Sequence, residues 1–189
     1  MTTKSKTTNI VLAGVGGQGI LFATKILSAA AKKRGLPIIG SETHGMAQRG
    51  GSVVSHLKIG GARSPLVRRG SADVLYAFDP IEGHRAFPFL KKGGAVFVNT
   101  GTTPWPDPAL EKEIAGMDID VATFHADRVA LEMGNPRLAN VALIGFSSAH
   151  PKSPFSSDEL REAVIASAPE KFAEMNMKAF DAGKAASGP

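Results

Sequence analysis

Three glycines follow a short apolar run at the spacing of phosphate-binding turns, Gly14-x-Gly16-x-x-Gly19. Small residues at these positions let a ligand approach the backbone closely. The helix expected after the turn offers unpaired N–H groups to a phosphate or another anion at its N-terminus. Gly17 and Gln18 lie inside the same turn, and we include them among the candidate binding residues.

Two interpretations of this turn remain open from its spacing alone. A dinucleotide site requires an acidic residue near the end of the second strand, and Glu42 lies 23 residues after Gly19. A free-standing NAD- or FAD-binding domain is therefore one possibility. The other is a tight turn that packs against a neighbouring subunit and binds no nucleotide.

The segment 41–51 is the richest in groups that can bind a ligand. It follows an apolar run that we interpret as a strand, and ligands of open α/β sheets gather at the carboxyl ends of strands. Arg49, beside two glycines, could clamp an anion or form an interface salt bridge. His44 is more typical of a hydrogen-bonding group than of a catalytic base, because no nucleophile accompanies it. The candidate binding residues of this segment are Ser41, His44, Gly45, Gln48, Arg49, Gly50 and Gly51.

No pattern in the sequence indicates a catalytic residue or a metal site. The five histidines lack the spacing of metal ligands, since neither H-x-x-x-H nor HExxH occurs. Asp118 and Asp120 share one side of an extended segment and are typical of solvated or capping carboxylates. Asn99 ends a further expected strand, at the same edge as the glycine turn, and it joins the candidate binding residues.

Apolar runs separated by turn residues predict an α/β fold: one doubly wound, mostly parallel sheet in a three-layer domain. The opening residues indicate a strand, a glycine-rich turn, a helix and a second strand, which is a βαβ unit. We also expect a β-hairpin around 52–67. Gly60 and Gly61 would form its turn, and 62–67 its return strand.

Capping residues predict where two further helices begin. Asp79 and Pro80 predict an N-cap and a first-turn proline, and Ser156 with Glu159 predicts a capping box. Three prolines make residues 100–108 a loop. The expected organisation is one domain with a flexible tail at each end: residues 9–183, 1–8 and 184–189.

Composition excludes several classes of protein. The 189 residues are 43% hydrophobic and 21% charged, as in an ordinary globular domain. Without cysteine, the chain cannot build a disulfide, a thiolate zinc site, a cysteine nucleophile or an all-cysteine iron–sulfur cluster. No apolar run approaches the ~20 residues of a membrane span. No secretory signal precedes the first strand, so we expect a cytoplasmic protein that does not bind membranes.

Charge is distributed unevenly along the chain. Residues 1–100 carry 14 Lys and Arg against 4 Asp and Glu, whereas residues 101–189 carry 8 against 13. A basic first half suits a phosphorylated ligand or an acidic partner. Because the cations form no dense run, we do not expect nucleic-acid binding.

Two motifs at fixed spacing are more specific than the glycine pattern: GVGGQGI at 14–20 and SETHGMAQRGGSVVSHLKIG at 41–60. Together they resemble the gamma-type subunits of 2-oxoacid:ferredoxin oxidoreductases, and within that family the beta subunit of indolepyruvate ferredoxin oxidoreductases. The resemblance covers almost the whole chain. Its further motifs are Ser64-Pro65-Leu66, LKKGGAVFVNT, Gly134-Asn135-Pro136-Arg137 and Asn176-Met177-Lys178-Ala179-Phe180.

The resemblance implies a subunit of an enzyme that decarboxylates a 2-oxoacid, forms an acyl-CoA and passes electrons to ferredoxin. It also implies the domain fold of the pyruvate:ferredoxin oxidoreductase gamma subunit. Thiamine diphosphate, Mg²⁺ and [4Fe-4S] clusters would then belong to a larger partner subunit, through which ferredoxin is reached. CoA would be a shared ligand, and the substrate an arylpyruvate such as indolepyruvate. The glycine turn and the segment 41–51 would face the partner's active site, with polar contacts from Gln18, His44, Gln48 and Arg49.

Two rivals to this interpretation make different predictions. A free-standing dinucleotide-binding domain would bind NAD or FAD by itself and would use Glu42. A purely structural subunit would be insensitive to changes at Gln48 or Arg49.

Overall fold

A six-stranded sheet forms the centre of the protein. The computed structural model describes residues 7–44, 50–101 and 103–188. The strands stand in the order β2-β3-β1-β4-β5-β6. Their bounds are Thr8–Val15 (β1), Ile38–His44 (β2), Ser52–Ile59 (β3), Ala72–Ala77 (β4), Leu90–Asn99 (β5) and Asp120–Phe124 (β6).

Most of the sheet is parallel, as expected. β1, β4, β5 and β6 run in the same direction, each parallel to its neighbour. β3 is the exception, because it pairs antiparallel with both β1 and β2. The two strands of the expected βαβ unit, β1 and β2, are thus separated by β3.

Helices cover both faces of the sheet. One face carries α1 and α4 to α7, and the other carries α2 and α3. The bounds of the seven helices in the described part of the chain are Ile20–Lys33 (α1), Pro80–Ala86 (α2), Pro108–Ile114 (α3), Ala126–Glu132 (α4), Ala139–Ser148 (α5), Ser157–Ser167 (α6) and Glu170–Ala185 (α7). Two short 3₁₀ turns complete the described elements, Phe87–Phe89 and Pro136–Leu138.

The central strand β1 is buried on both faces. Ile10 and Leu12 point into the core beneath α1 and α5, whereas Val11 and Ala13 point into the core beneath α2. All four side chains are fully buried. A strand covered on both faces reads as a continuous apolar run, which is why the sequence predicts it without an alternating pattern.

Several local predictions are confirmed. Asp79 caps α2 by accepting hydrogen bonds from the amides of Ile81 and Glu82. Ser156 and Glu159 form the predicted capping box at the start of α6. The end of the last helix differs from the expected boundary, because α7 reaches Ala185, two residues into the segment expected as a tail.

The predicted hairpin around 52–67 does not form. Residues 62–67 contain no strand, and β3 instead lies between β1 and β2. Pro65 has no N–H to donate to a ladder, and the amide of Val67 donates to Nδ1 of His56 over 3.4 Å. The backbone of this segment is therefore bonded across the face of the sheet rather than along β3.

The short helix α3 was not predicted. It begins at Pro108, directly after the proline-rich loop, and Asp107 accepts hydrogen bonds from the amides of Ala109 and Leu110. Aspartate before proline is an ordinary helix start. The sequence did not predict this helix because the neighbouring prolines favoured a loop.

Candidate functional site

The sheet has a topological switch point between β1 and β4. Helix α1 leads from β1 towards the β2 side of the sheet, and α2 leads from β4 towards β5 on the opposite face. Their connections diverge at the carboxyl ends of the two strands. Open α/β sheets bind ligands in the crevice at such a point. The glycine turn, residues 14–19, lies there.

The conformation of the turn requires glycine at two positions. Gly17 and Gly19 have φ values of 106° and 76°, a region that residues with a Cβ rarely adopt. A Cβ at Gly14 would lie 2.6 Å from Oε1 of Gln18 and 3.0 Å from Cβ of Phe78, so a larger residue there would displace the Gln18 side chain. Gly17 is exposed, so the turn offers backbone to a ligand or partner.

Gln18 is committed to the turn itself. Its Oε1 accepts a 2.8 Å hydrogen bond from the amide of Val15, and its Nε2 donates to the carbonyl of Phe78 over 3.1 Å. The side chain therefore joins the end of β1 to the end of β4. Its bonded role within the chain is structural.

The glycine turn and the end of the segment 41–51 are in direct contact. The amide of Gly16 donates to the carbonyl of Gly51 over 2.8 Å, and the amide of Gly50 donates to the carbonyl of Gly16 over 3.4 Å. These bonds extend the β1–β3 ladder beyond its last pair, Val15 with Ser52. Two motifs that are distant in sequence thus form one edge.

The other candidates of this segment lie in different places. His44 is the last residue of β2, at the same edge as the glycine turn. Ser41 pairs with His56 in the ladder, three residues before that edge or about 10 Å from it. Gly45, Gln48 and Arg49 lie outside the described residues.

Asn99 lies at the carboxyl end of β5 and is buried. Its Nδ2 donates to the carbonyl of Phe78 and to Oδ2 of Asp127, over 3.1 and 2.9 Å. Its Oδ1 accepts from the amide of Asp127 over 3.3 Å. Asn99 therefore holds the start of α4 against the switch point.

Two adjoining clefts open beside the turn. The apolar cleft has a volume of about 270 Å³ and the polar cleft about 180 Å³. Both are lined by Gly17, Arg137 and Asn140. Phe22, Phe172 and Met175 line only the apolar cleft, whereas Gln18, Asn99 and Asp127 line only the polar cleft.

Arg137 brings a positive charge to the boundary of the two clefts. It is exposed, and it takes part in none of the ion pairs found among the described residues. Every Asp and Glu of the chain lies in the described part. A guanidinium beside exposed glycine backbone and aromatic rings suits an anionic ligand that also carries an apolar group.

Large exposed apolar side chains gather along the same edge. Leu21 and Ile81, 47% and 62% exposed, lie in the first turns of α1 and α2. Phe172 and Met175, 42% and 39% exposed, extend the apolar cleft to the surface. Because α1 and α2 cover opposite faces of the sheet, apolar side chains are exposed on both faces near this edge, which suits a surface that another protein covers.

Sequence reasoning missed the far wall of the clefts. Arg137 and Asn140 follow the Asn135-Pro136 break, a signal that a turn precedes a buried helix. Phe172 and Met175 lie in α7, and nothing in their local sequence connects them with Gly17.

The geometry does not favour a dinucleotide site. In such a site the acid at the end of the second strand reaches the ligand from the strand beside β1. Here β3 occupies that place, and Glu42 lies in β2, two strands or about 10 Å from β1. Glu42 faces Ser55 in the ladder and lines neither cleft.

The described residues provide neither a cluster of metal ligands nor a membrane-spanning helix. Among residues 7–44, 50–101 and 103–188, no group of three His, Asp or Glu is placed to hold a metal ion. Within that same part of the chain, no helix has the length and apolar character needed to cross a membrane.

Comparison with known proteins decides the family. Residues 9–186 match the pyruvate ferredoxin/flavodoxin oxidoreductase family. The chain belongs to this family. It is 40% identical over 188 residues to the indolepyruvate oxidoreductase subunit IorB of Pyrococcus horikoshii, with 93% of each chain covered. The resemblance carried by the glycine turn and the segment 41–60 is thereby confirmed.

Solved structures of the family have the same fold. The gamma subunit of a keto/oxoacid ferredoxin oxidoreductase from Geobacter sulfurreducens has a TM-score of 0.71 and 26% identity, covering 95% of this chain and 98% of that one. The 2-oxoglutarate:ferredoxin oxidoreductase of Magnetococcus marinus, solved with 2-oxoglutarate, coenzyme A and succinyl-CoA, has a TM-score of 0.72 and 23% identity. The match covers 97% of this chain but 31% of that one. The protein is thus a subunit of a 2-oxoacid:ferredoxin oxidoreductase.

Proposed function

We propose that this chain is the small subunit of an arylpyruvate oxidoreductase, with indolepyruvate as the representative substrate. The enzyme cleaves the bond between the 2-oxo carbon and the carboxylate, releases CO₂ and joins the acyl group to CoA. Two electrons pass to ferredoxin. The small subunit closes the active site of a larger subunit and helps to position CoA and the 2-oxoacid.

The observation that carries this proposal is the composition of the edge at the switch point. The glycine turn, Gly50 and Gly51, and the two clefts lie together there, beside exposed Leu21 and Ile81. A ligand site and an apolar contact surface share one edge. Covering that edge with a partner would enclose the clefts and exclude water from a reactive intermediate.

The redox groups belong to the larger subunit in this proposal. The chain has no cysteine, so the ligands of a [4Fe-4S] cluster must come from another chain. Thiamine diphosphate with Mg²⁺ would bind the larger subunit and stabilise the carbanion that decarboxylation produces.

CoA is the ligand that the clefts suit best. Arg137 and the exposed backbone of Gly17 can bind its phosphates. The apolar cleft between Phe22 and Phe172 can take its adenine or pantetheine portion. His44, Gly45, Gln48 and Arg49 would approach CoA or the substrate carboxylate from the segment that continues β2.

The test is reconstitution of turnover from separate subunits. We expect the larger subunit alone to show little CoA-dependent indolepyruvate oxidation, and addition of this chain to restore it. Arg137→Ala should raise the KM for CoA by about tenfold or more, because a hydrogen bond to a charged group contributes about 1.5–3 kcal/mol. Arg128→Ala is the matched control, since Arg128 is exposed in α4 and paired with Glu132 outside both clefts.

Two outcomes would contradict the proposal. Equal CoA-dependent turnover by the larger subunit alone would remove any catalytic contribution of this chain. Tight binding of NAD or FAD by the isolated chain would restore the dinucleotide interpretation. The purely structural alternative is tested by Arg49→Ala and Gln48→Ala, for which we expect intact assembly with reduced turnover.

A further inference from the structure

A second surface with binding character lies away from the clefts. We call residues 60–71, between β3 and β4, the arginine loop. Because β3 ends and β4 begins at the amino edge of the parallel strands, the loop starts and finishes at the edge opposite the glycine turn. It exposes Arg63, Arg68 and Arg69, and the Leu66 side chain is 54% exposed among them.

The three arginines have no carboxylate partner within the described part of the chain, which contains every Asp and Glu. Some other basic residues are paired with nearby carboxylates. Lys91 pairs with Asp73, and Lys152 pairs with Asp120. Water and salt screen these exposed charges in the free chain, and three cations on one loop attract a negatively charged surface.

The backbone of the loop is held at its two ends and at Val67. Gly60 donates its amide to the carbonyl of Pro37 over 2.8 Å, and Val67, which is buried, donates to His56. Gly70 and Ser71 donate to the carbonyls of Pro88 and Phe89 over 2.9 and 3.0 Å. A surface that is already ordered loses little entropy when it binds.

The chemistry of the loop matches a protein interface. Arginine is enriched in such interfaces and lysine is depleted, and an apolar side chain surrounded by polar groups is a common arrangement at their centres. Arg68 and Arg69 each present a planar fork of donors to carboxylates. Leu66 adds apolar area that water would otherwise cover.

The structural comparison indicates why such contacts are needed. In the Magnetococcus marinus enzyme this fold occupies 31% of a longer chain, so a peptide linkage holds it beside the rest of that polypeptide. A flexible covalent link provides an effective concentration in the millimolar range. A separate subunit without that link depends on its own non-covalent contacts, and long-range charge attraction speeds its association.

We propose that the arginine loop is a second docking surface, which binds an acidic face of the larger subunit remote from the two clefts. The proposal rests on the proposed function, because it requires that the larger subunit exists as the partner. Docking at both edges would orient the small subunit before the clefts close.

The experiment measures association of the chain with the immobilised larger subunit of the same complex. We expect Arg68→Glu/Arg69→Glu to lower the association rate constant at least tenfold at low ionic strength, and the difference to shrink in about 0.5 M salt because charges are then screened. Arg68→Lys/Arg69→Lys keeps both charges, so its association rate constant should stay near that of the wild-type chain. Lys112→Glu/Lys184→Glu reverses two exposed charges on other surfaces and should change the rate little. Thermal unfolding of each variant verifies that it folds.

The outcomes separate this proposal from the function on which it rests. Wild-type chain that fails to bind the larger subunit overturns both. If the wild-type chain binds and restores turnover, but Arg68→Glu/Arg69→Glu associates at an unchanged rate, only the proposed docking surface is overturned. The docking surface is also overturned if a single-stranded RNA oligonucleotide binds the wild-type chain but not this variant, while subunit association is unaffected. The loop would then be assigned to nucleic-acid binding.

Discussion

Asn140 donates its side-chain N–H to the carbonyl oxygen of Gly19 over 3.0 Å. This bond fastens the start of α5 to the start of α1, across 121 residues of sequence. Gly19 is the N-cap of α1, and both residues line the apolar cleft. The shape of the candidate site therefore depends on a contact between its two walls.

Gly19→Ala should destabilise the chain for two separable reasons. The residue has φ 76°, and a Cβ there would lie 2.0 Å from Nδ2 of Asn140. We expect a loss of about 2–3 kcal/mol in the free energy of unfolding, measured by urea denaturation. Adding Asn140→Ala removes the steric part only, so the double variant should lose less than the sum of the single variants. Strict additivity would show that the two residues do not press on each other.

Gln18→Ala tests the structural role of the glutamine. The change leaves the amide of Val15 without its partner, whereas the carbonyl of Phe78 keeps the hydrogen bond from Asn99. We expect a loss of about 1–3 kcal/mol in the free energy of unfolding of the isolated chain, with no ligand present. If stability is unchanged and only the KM for CoA rises in the reconstituted enzyme, Gln18 is a ligand contact instead.

Gly183→Ala should separate α5 from α7. A Cβ at Gly183 would lie 1.9 Å from the carbonyl oxygen of Ala142, which is backbone and cannot rotate away. We expect a loss of more than about 3 kcal/mol, or no folded protein. Gly101→Ala is the matched control, because a Cβ there meets only His125, at 3.5 Å. Similar melting temperatures for the two variants would contradict this packing.

Local signals explain what could be predicted from the sequence. The order strand, glycine turn and helix is encoded in neighbouring residues, and so is the capping box of Ser156 and Glu159. The position of β3 is not encoded in this way. An antiparallel strand between β1 and β2 depends on pairing with residues far along the chain, such as Val15 with Ser52.

The site was predictable on one side only. Gly17 follows β1 and Asn99 ends β5, and the carboxyl ends of parallel strands necessarily share an edge. Phe172 and Met175 reach that edge because α7 packs against α5 through Gly145 and Gly183. Such packing of one helix on another has no periodic signature that points to a particular partner.

His56 should make the stability of the chain depend on pH. Burial, with a smaller contribution from the charge of Lys58, holds the pKa of His56 below its usual value of 6.5. Its Nδ1 accepts from the amide of Val67 only when the ring is neutral. The folded chain thus binds the proton more weakly than the unfolded chain, and stability is lost as pH falls through 6.5. We expect the free energy of unfolding to decline between pH 7 and pH 5, and amide exchange at Val67 to accelerate.

His56→Gln is the control, because it keeps an acceptor but cannot titrate. Its free energy of unfolding should therefore decline less steeply as the pH falls. Parallel curves for the two proteins would exclude His56 as the cause.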